Sequence, residues 1–344
     1  MTASHPDVSV VIAAFDAEST IAEAVDSALA QRGVSLEVVV VDDSSRDRTA
    51  AIAAGFSDDR VKVLVLPENR GPGGARNAGF AVARGRWIAV LDADDALFPG
   101  RLAAMIARGD AEHAEIIVDN LQVDRAGSLA GEAMFDQSLM ERIGAIDLAA
   151  FIAANRLFES TFSFGYLKPI FRASFLDAHR LRYDETLRIG EDYVFLASAL
   201  ARGAHCVVEP KAGYLYRVRD GSISHVLAVR HVEAMLAADR TFLCDHELDA
   251  SARQAQARRT RSLLRAVSFL TLVEHLKSRA PLRALAVALR DPFALWHLRM
   301  PIGVRLKRLS LLCDAAWRRT APILTPTGAR DGRRAAPPAD RQSR

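Results

Sequence analysis

Two apolar runs in this chain stop at clustered carboxylates, and that pattern limits the possible folds more than any other feature. Trp87-Ile88-Ala89-Val90-Leu91 runs into Asp92-Ala93-Asp94-Asp95, and Val38-Val39-Val40-Val41 into Asp42-Asp43-Ser44-Ser45. Short runs without polar alternation suit strands buried on both faces, as in parallel sheets. Ligands of open α/β sheets gather at the carboxyl ends of such strands. Three acids at one strand end repel one another unless a cation neutralises them. Hard carboxylate oxygens suit Mg²⁺ or Mn²⁺, ions that commonly accompany phosphates. A metal–diphosphate site is therefore one reading of Asp92, Asp94 and Asp95. A solvated acidic turn that caps a helix is the other.

Flanking segments complete an alternation. Val8 to Phe15 reads as a first strand, followed by a helix near Ser19 to Gln31. There Thr20 and Glu23 have capping-box spacing, and Ile21, Val25 and Leu29 share one face. A helix follows the second run as well. The loop Glu68 to Gly79, with Gly71-Pro72-Gly73-Gly74-Ala75-Arg76 inside it, leads into a helix that closes at Gly85. Strand and helix in turn predict an α/β fold with a mostly parallel central sheet.

The segments VSVVIAAFDAESTI, EVVVVDDSS, ENRGPGGARNAG, GRWIAVLDADD, GEDYVF and YRVRDGSIS carry a resemblance. In order and approximate spacing they resemble family 2 glycosyltransferases of the GT-A fold, across residues 8 to 225. A narrower similarity is to bacterial enzymes that build exopolysaccharides such as succinoglycan. The resemblance implies a nucleotide-sugar site and a divalent metal, Mn²⁺ or Mg²⁺. It puts Asp43 on the nucleobase or its ribose, the backbone from Ala13 to Phe15 along the base, and Arg76 near the nucleotide. Asp94 becomes the metal ligand on the donor diphosphate, and Asp92 sits near the ribose or in the metal shell. Asp192 becomes the general base, with Glu191 beside it orienting the acceptor or the helix start. Phe15 replaces a frequent Tyr and offers no hydroxyl to the nucleotide. The implied donor is a uridine diphosphate sugar, and the acceptor a lipid-linked saccharide.

The chemistry is coherent without the resemblance. A metal on the diphosphate and one carboxylate at the acceptor hydroxyl suffice for in-line attack with inversion. Glu191-Asp192 also reads as plain dipole complementation at a helix start. Residues 120 to 190 are the expected acceptor half. Phe162, Phe164, Tyr166 and Phe171 are read as core aromatics, with a sugar-stacking wall as the alternative. Lys168 and Arg172 are read as surface charges within reach of an acceptor phosphate. His225 is a weak candidate for the metal or the diphosphate.

Rival functions leave missing marks. No Gly-x-Gly-x-x-Gly follows the first strand, whose turn is Ala13-Ala14-Phe15-Asp16, and no P-loop is present. A sugar-nucleotide nucleotidyltransferase would carry a Gly- and Lys-rich loop there. A non-catalytic sugar-nucleotide-binding scaffold would not need both acidic pairs intact.

Charge divides the chain. The 344 residues sum to +3, yet Ser251 to Arg344 hold twenty Lys and Arg against five acids, which leaves −12 for residues 1–250. No nucleic-acid motif accompanies this basic part. Its leucines and tryptophans recur between arginines over 258–279, 282–290, 293–298 and 306–319, as in basic amphipathic helices. Such helices suit an anionic membrane surface or an ordinary solvated domain face. The expected organisation is a glycosyltransferase domain at 1–225, split near 119 into nucleotide and acceptor halves. A helical region follows at 226–324, then a disordered tail at 325–344. Cys206, Cys244 and Cys313 form no metal or disulfide pattern. With no signal sequence or membrane span in view, the expected location is cytoplasmic, possible membrane contact being peripheral.

Overall fold

The computed structural model describes residues 5–125, 131–159, 163–218 and 227–298. Residues 1–294 form one compact unit, and 295–344 a second, described only at 295–298. The expected tail at 325–344 and His225 lie outside the described residues.

The first half alternates as the periodicity predicts. β1 (Val8–Ala14), α1 (Ile21–Leu29), β2 (Leu36–Asp42), α2 (Thr49–Ala54), β3 (Val61–Val65), α3 (Gly71–Val82) and β4 (Trp87–Asp92) follow in turn. Strands β3, β2, β1 and β4 lie side by side and all parallel. All of β2 is buried, as is all of β1 and β4 save Ala13 and Asp92, because helices cover both faces. Gly79 lets α3 sit close to this sheet: a Cβ there would meet Val11 Cγ1 at 2.3 Å. The capping box at Thr20 does not form. Thr20 caps α1 without a side-chain bond to it; its hydroxyl donates to the Ala17 carbonyl, and Glu23 pairs with Arg217.

The second half departs from simple alternation. It comprises β5 (Ala96–Leu97), α4 (Arg101–Ala111), β6 (Ile116–Asp124), β7 (Glu132–Ala133), α5 (Gln137–Ile143) and α6 (Leu148–Ala153). A 3₁₀ turn at Phe164–Tyr166 leads to β8 (Ile170–Arg172), α7 (Ala173–Ala178), α8 (Glu191–Ala201) and β9 (Cys206–Arg217). The sheet continues β4-β8-β6-β9-β5, with β7 on β6. Short β8 runs antiparallel to both β4 and β6, while β6 and β9 are parallel. Strand β8, entered just after Lys168, thus fills the place between β4 and β6 in the sheet.

Four helices follow: α9 (Val229–Asp245), α10 (Ala250–Lys277), α11 (Pro281–Arg290) and α12 (Phe293–His297). Phe242, Leu248, Ala252 and Ala255 of this region join the main core. Val232 and Met235 of α9 and Leu263 and Ala266 of α10 form a second, smaller cluster.

Candidate active site

Sheet register aligns Ala14 with Asp42 across β1–β2 and Ala13 with Asp92 across β1–β4. Asp42 and Asp92 therefore flank the carboxyl end of β1. A cleft of about 1250 Å³ opens there. Ala13, Phe15, Asp43, Arg76, Asp92, Asp94, Glu191 and Asp192 all line it.

On one side, the carboxylate of Asp43 accepts the N–H groups of Arg70 (2.7 Å) and Gly71 (2.8 Å) at the start of α3. Burial raises its pKa against the pull of those two donors. Asp43 thus ties the Gly-rich loop to the end of β2 while facing the cleft. The half-exposed ring of Phe15 leaves a flat apolar wall beside it.

At the centre stands Arg76, buried in α3. Its Nη2 donates to Asp92 Oδ1 at 2.8 Å, and its Nη1 to Glu191 Oε1 and Asp192 Oδ1, each at 2.9 Å. One planar guanidinium with several donors can meet three carboxylates at once; an ammonium is a single point charge. Lys168 Nζ donates to Asp92 Oδ2 at 2.5 Å and lies 3.7 Å from Asp192 Oδ2. Lys168 is buried, not the surface charge its type suggests. Two cations oppose three acids here. Burial alone would raise the pKa of Asp92, but Lys168 and Arg76 hold it well below the carboxylate range. Glu191, more buried and repelled by Asp192, is pushed up to about 7 despite Arg76.

The three acids after β4 separate in role. Asp95 is buried, accepting from the Tyr214 hydroxyl (2.8 Å) and the Arg217 N–H (2.8 Å). Burial, then repulsion from Asp92 and Asp94, raises its pKa well above the usual range. It anchors β9 to this turn. Both oxygens of Asp92 are committed to cations, and Asp94 lines the cleft beside it. No cluster of three or more candidate metal ligands occurs among the described residues. That donor set still suits Mg²⁺ or Mn²⁺ carried in by a diphosphate, since such ions take one or two carboxylates and complete their shell from phosphate and water. Asp94 and Asp92, both at the cleft, are the carboxylates that could take that part.

Helix α8 opens on Gly190, whose φ of +92° is open to glycine at little cost. The acids at its first turn complement the dipole, as either reading of the sequence requires. The far end of the cleft is built by Asn155, Leu157, Tyr166, Ile189, Met235 and Arg259, among others. Arg259 of α10 donates to Asp239 (3.0 Å) and to the Asn155 carbonyl (2.5 Å), and its guanidinium lies 3.4 Å from the centre of the Tyr193 ring. The Tyr193 hydroxyl donates to Gln256, which donates in turn to Asp239. The residue after Asp192 is thereby fastened to the C-terminal helices. Sequence reasoning missed this contribution. Its only local trace was Asp239, an acid within the apolar spacing of α9.

Of the aromatic group, Phe164 and Phe171 are core residues; Tyr166 lines the cleft edge-on to Tyr216, and Phe162 lies outside the described residues. Arg172 stacks over Trp87 and pairs with Asp110, and it is not among the residues that line the cleft. The signal for Lys168 was its setting, one cation among Leu167, Pro169, Ile170 and Phe171.

Comparison with known proteins adds an independent line. Residues 9–175 match the profile described as Glycosyl transferase family 2. The chain is 53% identical over 326 residues to the succinoglycan biosynthesis protein ExoO of Rhizobium meliloti (strain 1021), covering 94% of this chain and 93% of that protein. Among solved structures, S. aureus TarS 1-349 in complex with UDP aligns with TM-score 0.58 at 20% identity, over 83% of this chain and 92% of that one. The mannosyltransferase PcManGT from Pyrobaculum calidifontis, in complex with GDP-Man and Mn2+, aligns with TM-score 0.55 at 16% identity, over 89% and 88%. At those identities the two structures speak to the fold alone.

Proposed function

Because the chain belongs to glycosyl transferase family 2 and is a glycosyltransferase of GT-A fold, we propose that it uses a divalent metal to move a sugar, with inversion, from a uridine diphosphate sugar to a saccharide hydroxyl. The proposed setting is the assembly of a succinoglycan-type polysaccharide, the process named for the relative ExoO. The observation that carries this reading is the junction at Arg76. It brings the acid pair after β4 and the acid pair opening α8 into one cleft.

Each residue takes a part. Asp43, Ala13 and Phe15 receive the nucleoside beside the end of β1. Asp94, with Asp92 behind it, would hold Mn²⁺ or Mg²⁺. Bound there, such an ion would neutralise charge on the departing diphosphate. Asp192 lines the cleft with Oδ2 only 3.7 Å from Lys168, and takes the proton of the acceptor hydroxyl as attack develops. Arg76 and Lys168 keep Asp92 ionised, since opposite charges within a few ångströms favour the charged form, and the Arg76 hydrogen bond holds Asp192 in place. The acceptor enters at the end lined by Leu157, Ile189 and Met235. Its apolar character suits the lipid end of a lipid-linked saccharide. The nucleobase is left to a screen of nucleotide sugars: TarS is in complex with UDP and PcManGT with GDP-Man, so guanosine is the competing result.

A thermal-shift and turnover screen of nucleotide sugars, with and without Mn²⁺ or Mg²⁺, tests this directly. The true donor stabilises the native state by RT ln(1 + [L]/Kd). Asp94→Ala should lose metal-dependent donor binding and about a hundredfold or more in turnover. Full turnover in excess chelator would refute the metal assignment.

A further inference from the structure

We propose that the outward face of α11 docks on an anionic lipid bilayer and holds the enzyme flat on the membrane surface. The inference is independent of the acceptor assigned above. Leu282, Leu285 and Leu289 of α11 are 82%, 55% and 73% exposed. Their spacing of three and four residues puts them on one stripe of the helix. Phe293 continues it at 58% exposure. The opposite side of α11 is the packed one, with Ala284 buried.

Charge tells what covers the stripe. Arg283 and Arg290 are exposed and flank the leucines, and Lys277 and Arg279 stand exposed just before the helix. Residues 250–291 hold nine Lys and Arg against two acids. Of those nine, Arg259 is buried and paired with Asp239, while Arg265 lies over the Phe293 ring at 4.5 Å. Bulky apolar groups outermost with arginines at their sides are the arrangement of interfacial helices on anionic lipid. A nucleic acid or acidic protein would call for the charges in front. A second copy related by a two-fold axis would meet the same face, arginines included.

Length sets the depth. A ten-residue helix is about 15 Å long, half the hydrocarbon thickness of about 30 Å. No helix among the described residues is long and apolar enough to cross a membrane. The contact is therefore along the surface. The −12 carried by residues 1–250 turns the rest of the chain away from the same anionic surface.

The test is co-sedimentation of the full chain with vesicles of phosphatidylcholine alone or mixed with phosphatidylglycerol, at low and high salt. Wild type should pellet with the anionic vesicles only, and salt should release it. The triple variant Leu282→Ser, Leu285→Ser, Leu289→Ser should weaken binding at least about tenfold, as should Arg283→Gln with Arg290→Gln. Nucleotide affinity by calorimetry should be unchanged in both, which shows them folded. Equal recovery with both vesicle types, or full binding by either variant, would overturn the proposal. So would a dimer in sedimentation equilibrium that the leucine variant abolishes while wild type ignores vesicles. None of these readouts uses sugar transfer, so failure here and failure of the proposed reaction are separable.

Discussion

Arg76 is the residue on which the reading of this protein turns, because its guanidinium hydrogen-bonds Asp92 at the end of β4 and both Glu191 and Asp192 at the start of α8. If Asp192 is the base, Asp192→Asn keeps the shape and the Arg76 contact but cannot take the acceptor proton. Donor affinity should survive while single-turnover transfer falls by about 10²–10⁴, the range for loss of general-base catalysis. Near-normal transfer in that variant would reduce the acid pair to a helix cap. Glu191 makes a separate, pH-dependent prediction. Its folded-state pKa is raised from 4.5 to about 7 by burial and by Asp192. The native state therefore holds a proton that the unfolded state gives up. The resulting stability is full below pH 4.5 and is lost as pH rises through about 7. Glu191→Gln has no proton to lose. Urea unfolding at about pH 5 and about pH 8 should show the variant gaining on wild type at the higher pH, by at least about 1 kcal/mol. A constant difference across that range would mean the carboxyl titrates normally.

At the scale of elements, the amino ends of the parallel strands are held by a polar knot that the apolar pattern conceals. Glu37 of β2 is buried, accepts the Ser9 hydroxyl at 2.6 Å and the Arg84 N–H at 2.7 Å, and pairs with Lys62 at 2.6 Å. It joins β1, β2, β3 and the end of α3. Burial alone would raise its pKa, but Lys62, Ser9 and Arg84 bring it from 4.5 down to about 2. Here the sign is reversed: the stabilisation is present above pH 4.5 and is lost as pH falls toward 2. Glu37→Gln should cost about 1–3 kcal/mol near neutral pH, the scale for a charged, buried hydrogen-bond partner. The gap to wild type should narrow in unfolding experiments at about pH 3. An unchanged gap would show that the knot adds nothing as an ion.

At the scale of the whole molecule, the C-terminal helices belong to the site. Arg259 clamps Tyr193 and Asn155, and Met235 and Arg259 line the cleft itself. Arg259→Gln should therefore lower kcat by about tenfold or more, the cost of small misplacement at a catalytic group, and leave donor affinity intact. Arg259→Lys should recover little, because an ammonium cannot reproduce the fork. An unchanged kcat would make the clamp merely structural.

Strand and helix alternation and the acid-ended strands were legible in the chain, because burial on both faces leaves unbroken apolar runs and chemistry at strand ends needs local, repeated residue types; Ala13, Phe15, Asp43 and Arg76 were placed by the family resemblance. Lys168, Arg259 and Glu37 were not. Each is an ordinary charged residue whose meaning is its partner, and those partners lie 76, 20 and 25 residues away in sequence. The antiparallel insertion of β8 was equally hidden, since three residues carry no period. By itself the sequence determined which elements form and which acids cluster. Only the tertiary structure decided which acids share a cation, because a buried charge is settled by whatever the fold brings within a few ångströms of it, and chain distance does not enter that energy.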